Sequence, residues 1–137
     1  MRAVLDPNVL ISALLSPAGA PARALLAWVK GEYELIVSPL LLAELTRVLA
    51  YPKLRARIDQ HDGEEFVDWL SRQATLAPDP ADASVRSADP DDDYLLALAI
   101  KEKAVVVSGD KHLLALIDEF PIFSPASFLA YIGSSSA

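Results

Sequence analysis

Three short, mostly apolar runs constrain this chain more than any other feature: RAVL (2–5), YELIV (33–37) and AVVVS (104–108). Each is too short for a buried helix, and the last carries no alternation of apolar and polar residues. A run that is apolar on both faces fits a strand covered from both sides. Between and after these runs the pattern turns helical. VLISALLS follows Asp6-Pro7-Asn8, with Asn8 or Asp6 as the cap. PARALLAWVKG (21–31) opens on Pro and closes on Gly, and SPLLLAELTRVLA (38–50) has Ser38 as N-cap with Pro39 in the first turn. Strands alternating with helices predict a parallel sheet with helices on both faces.

The remaining segments are shorter or less regular. After Tyr51-Pro52 a broken stretch leads to DGEEFVDWLSRQA (62–74), where Asp62 and Glu65 have the spacing of a capping box. TLAP (75–78) reads as a short strand and 78–90, rich in Pro and Asp, as a loop. Residues 90–102 and KHLLALID (111–118) read as helices, PIF (121–123) as an edge strand, and SPASFLAYI as a closing helix. This gives one domain over 1–132 and a tail, 133–137, expected to be disordered.

At 137 residues and 53% apolar content, the chain has enough material for one core. No apolar run approaches the roughly 20 residues of a membrane span. The N-terminus has no signal-peptide pattern, and the absence of cysteine removes disulfides, thiolate metal sites and thiol nucleophiles. Both features point to the cytoplasm. A net charge of −7 argues against non-specific coating of nucleic acid, but not against acids gathered around metal ions that act on a phosphodiester.

In an open α/β sheet, ligands bind beyond the carboxyl ends of the strands. Acids stand at those places. Asp6 ends the first strand and Asp110 follows the strand AVVVS; each is equally well a turn or cap residue. Glu44 lies at the margin of the apolar arc of helix 38–50, where it is either part of a site or paired with a neighbouring Arg. The window DPDDD places Asp89, Asp91, Asp92 and Asp93 at a helix start. One or two acids satisfy a helix dipole, and the further repulsion is what a divalent cation relieves. Asp92 and Asp93 are the pair expected to face the sheet edge. Together, oxygen ligands of this kind suit Mg²⁺ or Mn²⁺, and one or two such ions about 4 Å apart activate water and stabilise a leaving oxygen in phosphodiester hydrolysis.

LDPNVLISALLSPAGAPARALL, ELIVSPLLLAEL, DPDDDYLLALAI and VVVSGDKHLL, in this order, resemble a PIN domain, and more closely the PIN-family toxins of bacterial toxin–antitoxin operons related to VapC. The resemblance spans nearly the whole chain apart from the 52–75 region and the tail. It implies a PIN-like three-layer α/β/α sandwich with a short, mostly parallel sheet. It also implies a Mg²⁺- or Mn²⁺-dependent endoribonuclease, often a homodimer, held inactive by an antitoxin protein. The family's acidic quartet falls on Asp6, Glu44, Asp92 and Asp110, with Asp93 an auxiliary ligand that fits the helix spacing as well as Asp92 does. Asn8 matches the Asn that orients the first Asp, and Ser108 the small hydroxyl residue before the last. The chain departs from the pattern at Pro7, where the family has Thr or Ser; Pro has neither N–H nor hydroxyl, so the hydrogen bonding around Asp6 is expected to differ.

Other residues have plainer readings. His61 and His112 read as surface or cap residues, and Lys111 as a solvated lysine or a phosphate contact. Arg47, Lys53, Arg55, Arg57 and Arg72 make the middle region locally basic, as an exposed helical face, an RNA-facing rim or an antitoxin contact. Trp28, Trp69 and Tyr33 read as core or interface. A haloacid dehalogenase phosphatase also begins with a strand-Asp but needs a second Asp at the position of Asn8. A receiver domain needs an acidic pair after the first strand. A catalytically idle PIN-like module that only binds a partner is the non-enzymatic alternative.

Overall fold

Parallel pairing accounts for every strand in the structure, a computed structural model that describes residues 1–80 and 93–135. In chain order the elements are β1 (Arg2–Leu5), α1 (Pro7–Leu15), α2 (Ala20–Val29), β2 (Glu34–Val37), α3 (Pro39–Leu49), α4 (Pro52–Arg55), α5 (Gln60–Gln73) and β3 (Thr75–Leu76). They continue with α6 (Asp93–Glu102), β4 (Val105–Val107), α7 (Lys111–Leu114), β5 (Ile122–Phe123) and α8 (Pro125–Ser135). The sheet order is β3-β2-β1-β4-β5. The chain therefore steps outward from β1 on one side, then returns to begin again at β4 on the other. That reversal makes the carboxyl ends of β1 and β4 the topological switch point of the sheet.

The three expected strands are the central three. Ala3, Val4, Leu5, Leu35, Ile36 and Val37 are fully buried, and Val106 and Val107 nearly so, because helices cover the sheet in a three-layer α/β/α arrangement. Helix α6 packs on β1 and β4, while α1 packs on α2 and α3, and α3 on α5. Helix α3 buries Leu41, Leu45 and Leu49 at successive four-residue steps, and its start is capped by the Ser38 hydroxyl accepting from the Leu41 N–H at 3.2 Å. The second cap comes from outside the helix: Asp79 Oδ2 accepts from the Leu40 N–H at 2.9 Å.

Several boundaries differ from the sequence reading. The expected capping box at Asp62 is not the start of α5. Asp59 caps that helix by accepting from the His61 N–H, and Asp62 lies in its first turn. Within the expected broken stretch, Pro52–Arg55 forms one helical turn, α4, whose opening Pro needs no N–H partner. Helix α7 stops at Leu114, short of residue 118, and α8 runs on through Ser135, past the end expected at residue 132. The expected start of the helix at residue 90 lies outside the described residues, as does most of the expected loop 78–90.

Two helix ends use left-handed backbone. Gly31 (φ 83°) ends α2, with the Glu32 N–H returning to the Ala27 carbonyl at 3.0 Å. Lys103 (φ 54°) does the same for α6, with the Ala104 N–H on the Ala99 carbonyl at 2.8 Å. A side chain pays for that conformation where glycine does not. Replacing Lys103 by Gly should therefore stabilise the fold by up to about 1 kcal/mol, read as a higher urea midpoint at unchanged slope. Phe128 predicts the opposite sign. Fully buried, it meets Tyr33 edge-on at 4.9 Å, and Tyr33 in turn donates from its hydroxyl to the Ala24 carbonyl at 2.7 Å. Phe128→Ala should cost about 3–5 kcal/mol in the same experiment, and a loss under 1 kcal/mol would show that α8 is not part of the cooperative core.

Candidate active site

Strand β1 delivers its last residue into the switch point, and that residue is Asp6. Its backbone N–H still belongs to the sheet, donating to the Val107 carbonyl at 2.9 Å, while its carbonyl accepts from Val9 and Leu10 as α1 begins. The side chain is 4% exposed. Oδ1 accepts from the Asn8 backbone N–H at 3.0 Å and Oδ2 from the Ser108 hydroxyl at 2.8 Å. The same Ser108 oxygen accepts from the Asp110 N–H at 3.0 Å. One buried hydroxyl thus ties the ends of β1 and β4, 102 residues apart in sequence.

Asp110 repeats the local design of Asp6. Its Oδ1 accepts from the His112 N–H at 2.7 Å as α7 starts, with His112 Nδ1 at 3.3 Å from the same oxygen. Glu44 reaches the site from α3 and is half-buried. Asp6, Glu44 and Asp110 line one cavity of about 250 Å³ together with Pro7, Asn8, Arg47, Val48, Tyr51, Tyr94 and Leu95. The electrostatics agree with the geometry. Burial pushes the Asp6 carboxyl above its ordinary value of 3.8; the bonds from Asn8 and Ser108 pull it back, and the charges of Asp110 and Glu44 push it up again.

Of the residues singled out by sequence, Asp6, Asn8, Glu44 and Asp110 line this cavity, and Ser108 lies fully buried behind it. Asn8 meets the carboxylate through its backbone, its side chain standing exposed. Asp92 lies outside the described residues. Asp93 opens α6, immediately before the cavity-lining Tyr94 and Leu95, but its side chain is not among those described. Pro7 is buried at the first position of α1, where a missing N–H costs no helical bond, so the departure at this residue leaves both hydrogen bonds to Asp6 intact.

Glu44 satisfies both readings open to it in the sequence. It lines the cavity and it is paired: both its oxygens take the Arg47 guanidinium, Nε at 3.0 Å from Oε2 and the second nitrogen on Oε1. Arg47 also bonds the Tyr51 hydroxyl and stands 5.4 Å from the centre of that ring. Among the described residues, no three Asp, Glu or His side chains are gathered closely enough to hold an ion as they stand. The donor set nonetheless has the right chemistry for one: hard carboxylate oxygens, one of them buried and made costly to ionise by its acidic neighbours. Sequence reading placed Arg47 in a general basic region and gave Tyr51 no role. Their spacing from Glu44, three residues and then four along one helical face, was the signal available.

A larger cavity, about 370 Å³, opens on the far side of α3 against α4 and α5. Its acids are engaged locally: Asp59 caps α5, Glu64 accepts from Gln60, and Asp68 pairs with Arg72. It lies away from the strand ends and lacks their convergence.

Comparison with known proteins agrees with this arrangement. The uncharacterized protein MJ1680 of Methanocaldococcus jannaschii is 29% identical over 119 residues, covering 87% of this chain and 77% of its own length. Among solved structures, PAE2754 from Pyrobaculum aerophilum superposes with a TM-score of 0.67 at 17% identity, covering 98% of this chain and 90% of that one. VapBC2 from Rickettsia felis, bound to a DNA fragment from its promoter, gives 0.64 at 14% identity over 90% of this chain and 97% of that one. The family model described as PIN domain matches residues 2–112, which takes in Asp6, Glu44, Ser108 and Asp110, and the chain belongs to the PIN domain family.

Proposed function

We propose that this chain is a Mg²⁺- or Mn²⁺-dependent endoribonuclease, the VapC-like toxin of a toxin–antitoxin pair acting in the cytoplasm. The observation that carries the reading is the buried Asp6 carboxylate at the switch point, with Asp110 and Glu44 close enough to raise its pKa. Asp6, Glu44 and Asp110, with Asp92 or Asp93 from the start of α6, are the groups that would hold the ion. When bound, the ion lowers the pKa of water and offsets charge on the leaving 3′-oxygen. The protein supplies orientation. Ser108 and the Asn8 N–H fix both oxygens of Asp6, and the first turn of α7 fixes Asp110. Neither cavity wall brings up a histidine as general acid: His112 is turned onto Asp110 and is exposed.

Family membership supports a nuclease, and the likeness to VapBC2 supports an antitoxin partner. A homodimer fits the same reading. Among the described residues no single helix is long and apolar enough to cross a membrane. The alternative is a catalytically idle module that works by binding a partner. The Glu44–Arg47 pair is the one feature that favours it, since it turns a carboxylate away from any ion. Calorimetry separates the two: no heat of Mn²⁺ binding at millimolar metal would support the idle module.

Asp6→Asn tests the site twice. It should reduce Mg²⁺-dependent cleavage of single-stranded RNA by about a thousandfold or more, and full activity in the variant would discard the scheme. It should also change stability with a particular pH signature. Because the folded carboxyl titrates above 3.8, ionising Asp6 costs the native state more than the unfolded chain. That penalty is absent below the unfolded value and grows as pH rises through the folded one. In EDTA, the Tm of Asp6→Asn relative to the parent should therefore climb between about pH 3 and pH 7. A difference that stays flat or shrinks over that range would mean that Asp6 ionises without strain.

A further inference from the structure

The cavity that gathers Asp6, Glu44 and Asp110 also contains a cation of its own. Arg47 is the only Lys or Arg among the described residues that line it, and it is held by three contacts: two to Glu44 and one to the Tyr51 hydroxyl. A guanidinium forked across both oxygens of a carboxylate occupies the lone pairs that an ion would otherwise take. The pair is within one helix at three-residue spacing, and its two side chains are 56% and 34% exposed for Arg47 and Glu44, so the link can open without disturbing the core. Tyr51 lies one turn beyond Arg47, at the entrance to α4, and gives the guanidinium a resting place on the cavity wall.

We propose that Arg47 is the phosphate-binding group of this site and that it competes with the divalent ion for Glu44: resting on the carboxylate while the ion is away, and released to a nucleotide phosphate when the ion takes its place. This rests on the nuclease reading above and adds to it a residue that the acidic quartet does not contain. The exchange conserves charge within the cavity. Glu44 is neutralised by one cation or the other, and the freed guanidinium is delivered only when the carboxylates are loaded. A forked, permanently charged group suits a phosphate's paired oxygens better than a lysine would. The arrangement also explains how a chain with a net charge of −7 can present a cation to RNA at the one place where acids are densest.

The test uses the full chain, with Mn²⁺ and then AMP as probes in calorimetry. Arg47→Met removes the fork and keeps the apolar stem. Freed of its partner, Glu44 should then bind Mn²⁺ about two- to fivefold more tightly, the range expected from releasing an exposed ion pair. Tyr51→Phe, which removes only the hydroxyl acceptor, should move the affinity in the same direction by less. With Mn²⁺ saturating, AMP should bind Arg47→Met about tenfold more weakly than the parent, as expected when a charged hydrogen bond is lost. Unchanged or weaker Mn²⁺ binding in Arg47→Met overturns the competition, and unchanged AMP affinity overturns the phosphate role; in both cases the nuclease reading stands. If the parent takes up no Mn²⁺ while Arg47→Met does, the competition is supported in its strongest form. If neither takes up the ion at millimolar metal, the nuclease reading falls and this one with it. Coincident thermal midpoints for the three proteins keep altered folding from imitating any of these results.

Discussion

Everything in this structure that bears on chemistry depends on a carboxylate being held where the fold would be more stable without it. Asp6 ends the central strand, loses its water to the surrounding helices, and keeps two hydrogen bonds in exchange. Those bonds are not enough to return its pKa to the ordinary value, because Asp110 and Glu44 add like charge from two further elements. A buried acid that is only partly compensated is a site waiting for a positive partner. The sheet makes the tension tolerable by fixing both ends of the arrangement. Ser108 bonds Asp6 and Asp110 at once, so β1 and β4 cannot shift against one another without breaking the same hydroxyl's contacts.

The topology decides why these acids meet. A sheet of order 3-2-1-4-5 places the first strand and the fourth side by side, with helices leaving both from their carboxyl ends. Each helix begins with an Asp whose side chain caps its own first turn: Asp6 for α1, Asp110 for α7. A cap uses one carboxylate oxygen, and for Asp6 the second goes to Ser108. The cap reading and the site reading of these residues are therefore compatible. The local bond orients the carboxylate, and the crossover between β1 and β4 brings the oriented carboxylates together.

Much of this was legible in the chain before its coordinates. The three apolar runs became the three central strands because a segment apolar on both faces has few other stable places. Ser38-Pro39 marked the start of α3 because capping chemistry is local. Features set by distant contacts were harder to read. Asp59 and Asp62 both lie three residues before a Glu or Asp, and nothing local says which one ends the turn after α4; the structure selects Asp59. The extra helical turn Pro52–Arg55 is tied to the preceding helix end through Arg55, which donates to the Leu49 carbonyl at 3.3 Å, a contact that no periodicity announces. The hydroxyl of Ser108 looked like a small residue in a motif, and only its position next to β1 reveals that it serves two aspartates.

Arg47 shows most clearly where sequence reasoning stops. In the chain it is one of five basic residues spread over the middle region, and composition offers no reason to separate it from Lys53 or Arg57. In the fold those five part company. Arg72 pairs with Asp68 on α5, Arg55 closes the end of α3, Lys53 and Arg57 face solvent, and Arg47 alone lies on the cavity wall. The helical spacing that joins it to Glu44 is ordinary on any exposed helix and contributes a few tenths of a kcal/mol there. What changes its meaning is the company Glu44 keeps. On a helix surface a Glu–Arg pair is a minor stabiliser; at the mouth of a cavity holding two more carboxylates, it is a positive charge delivered to the one place on an acidic molecule where a phosphate must approach. Net charge governs how RNA and protein meet from a distance, and a few ångströms of guanidinium placement govern what happens once they have met.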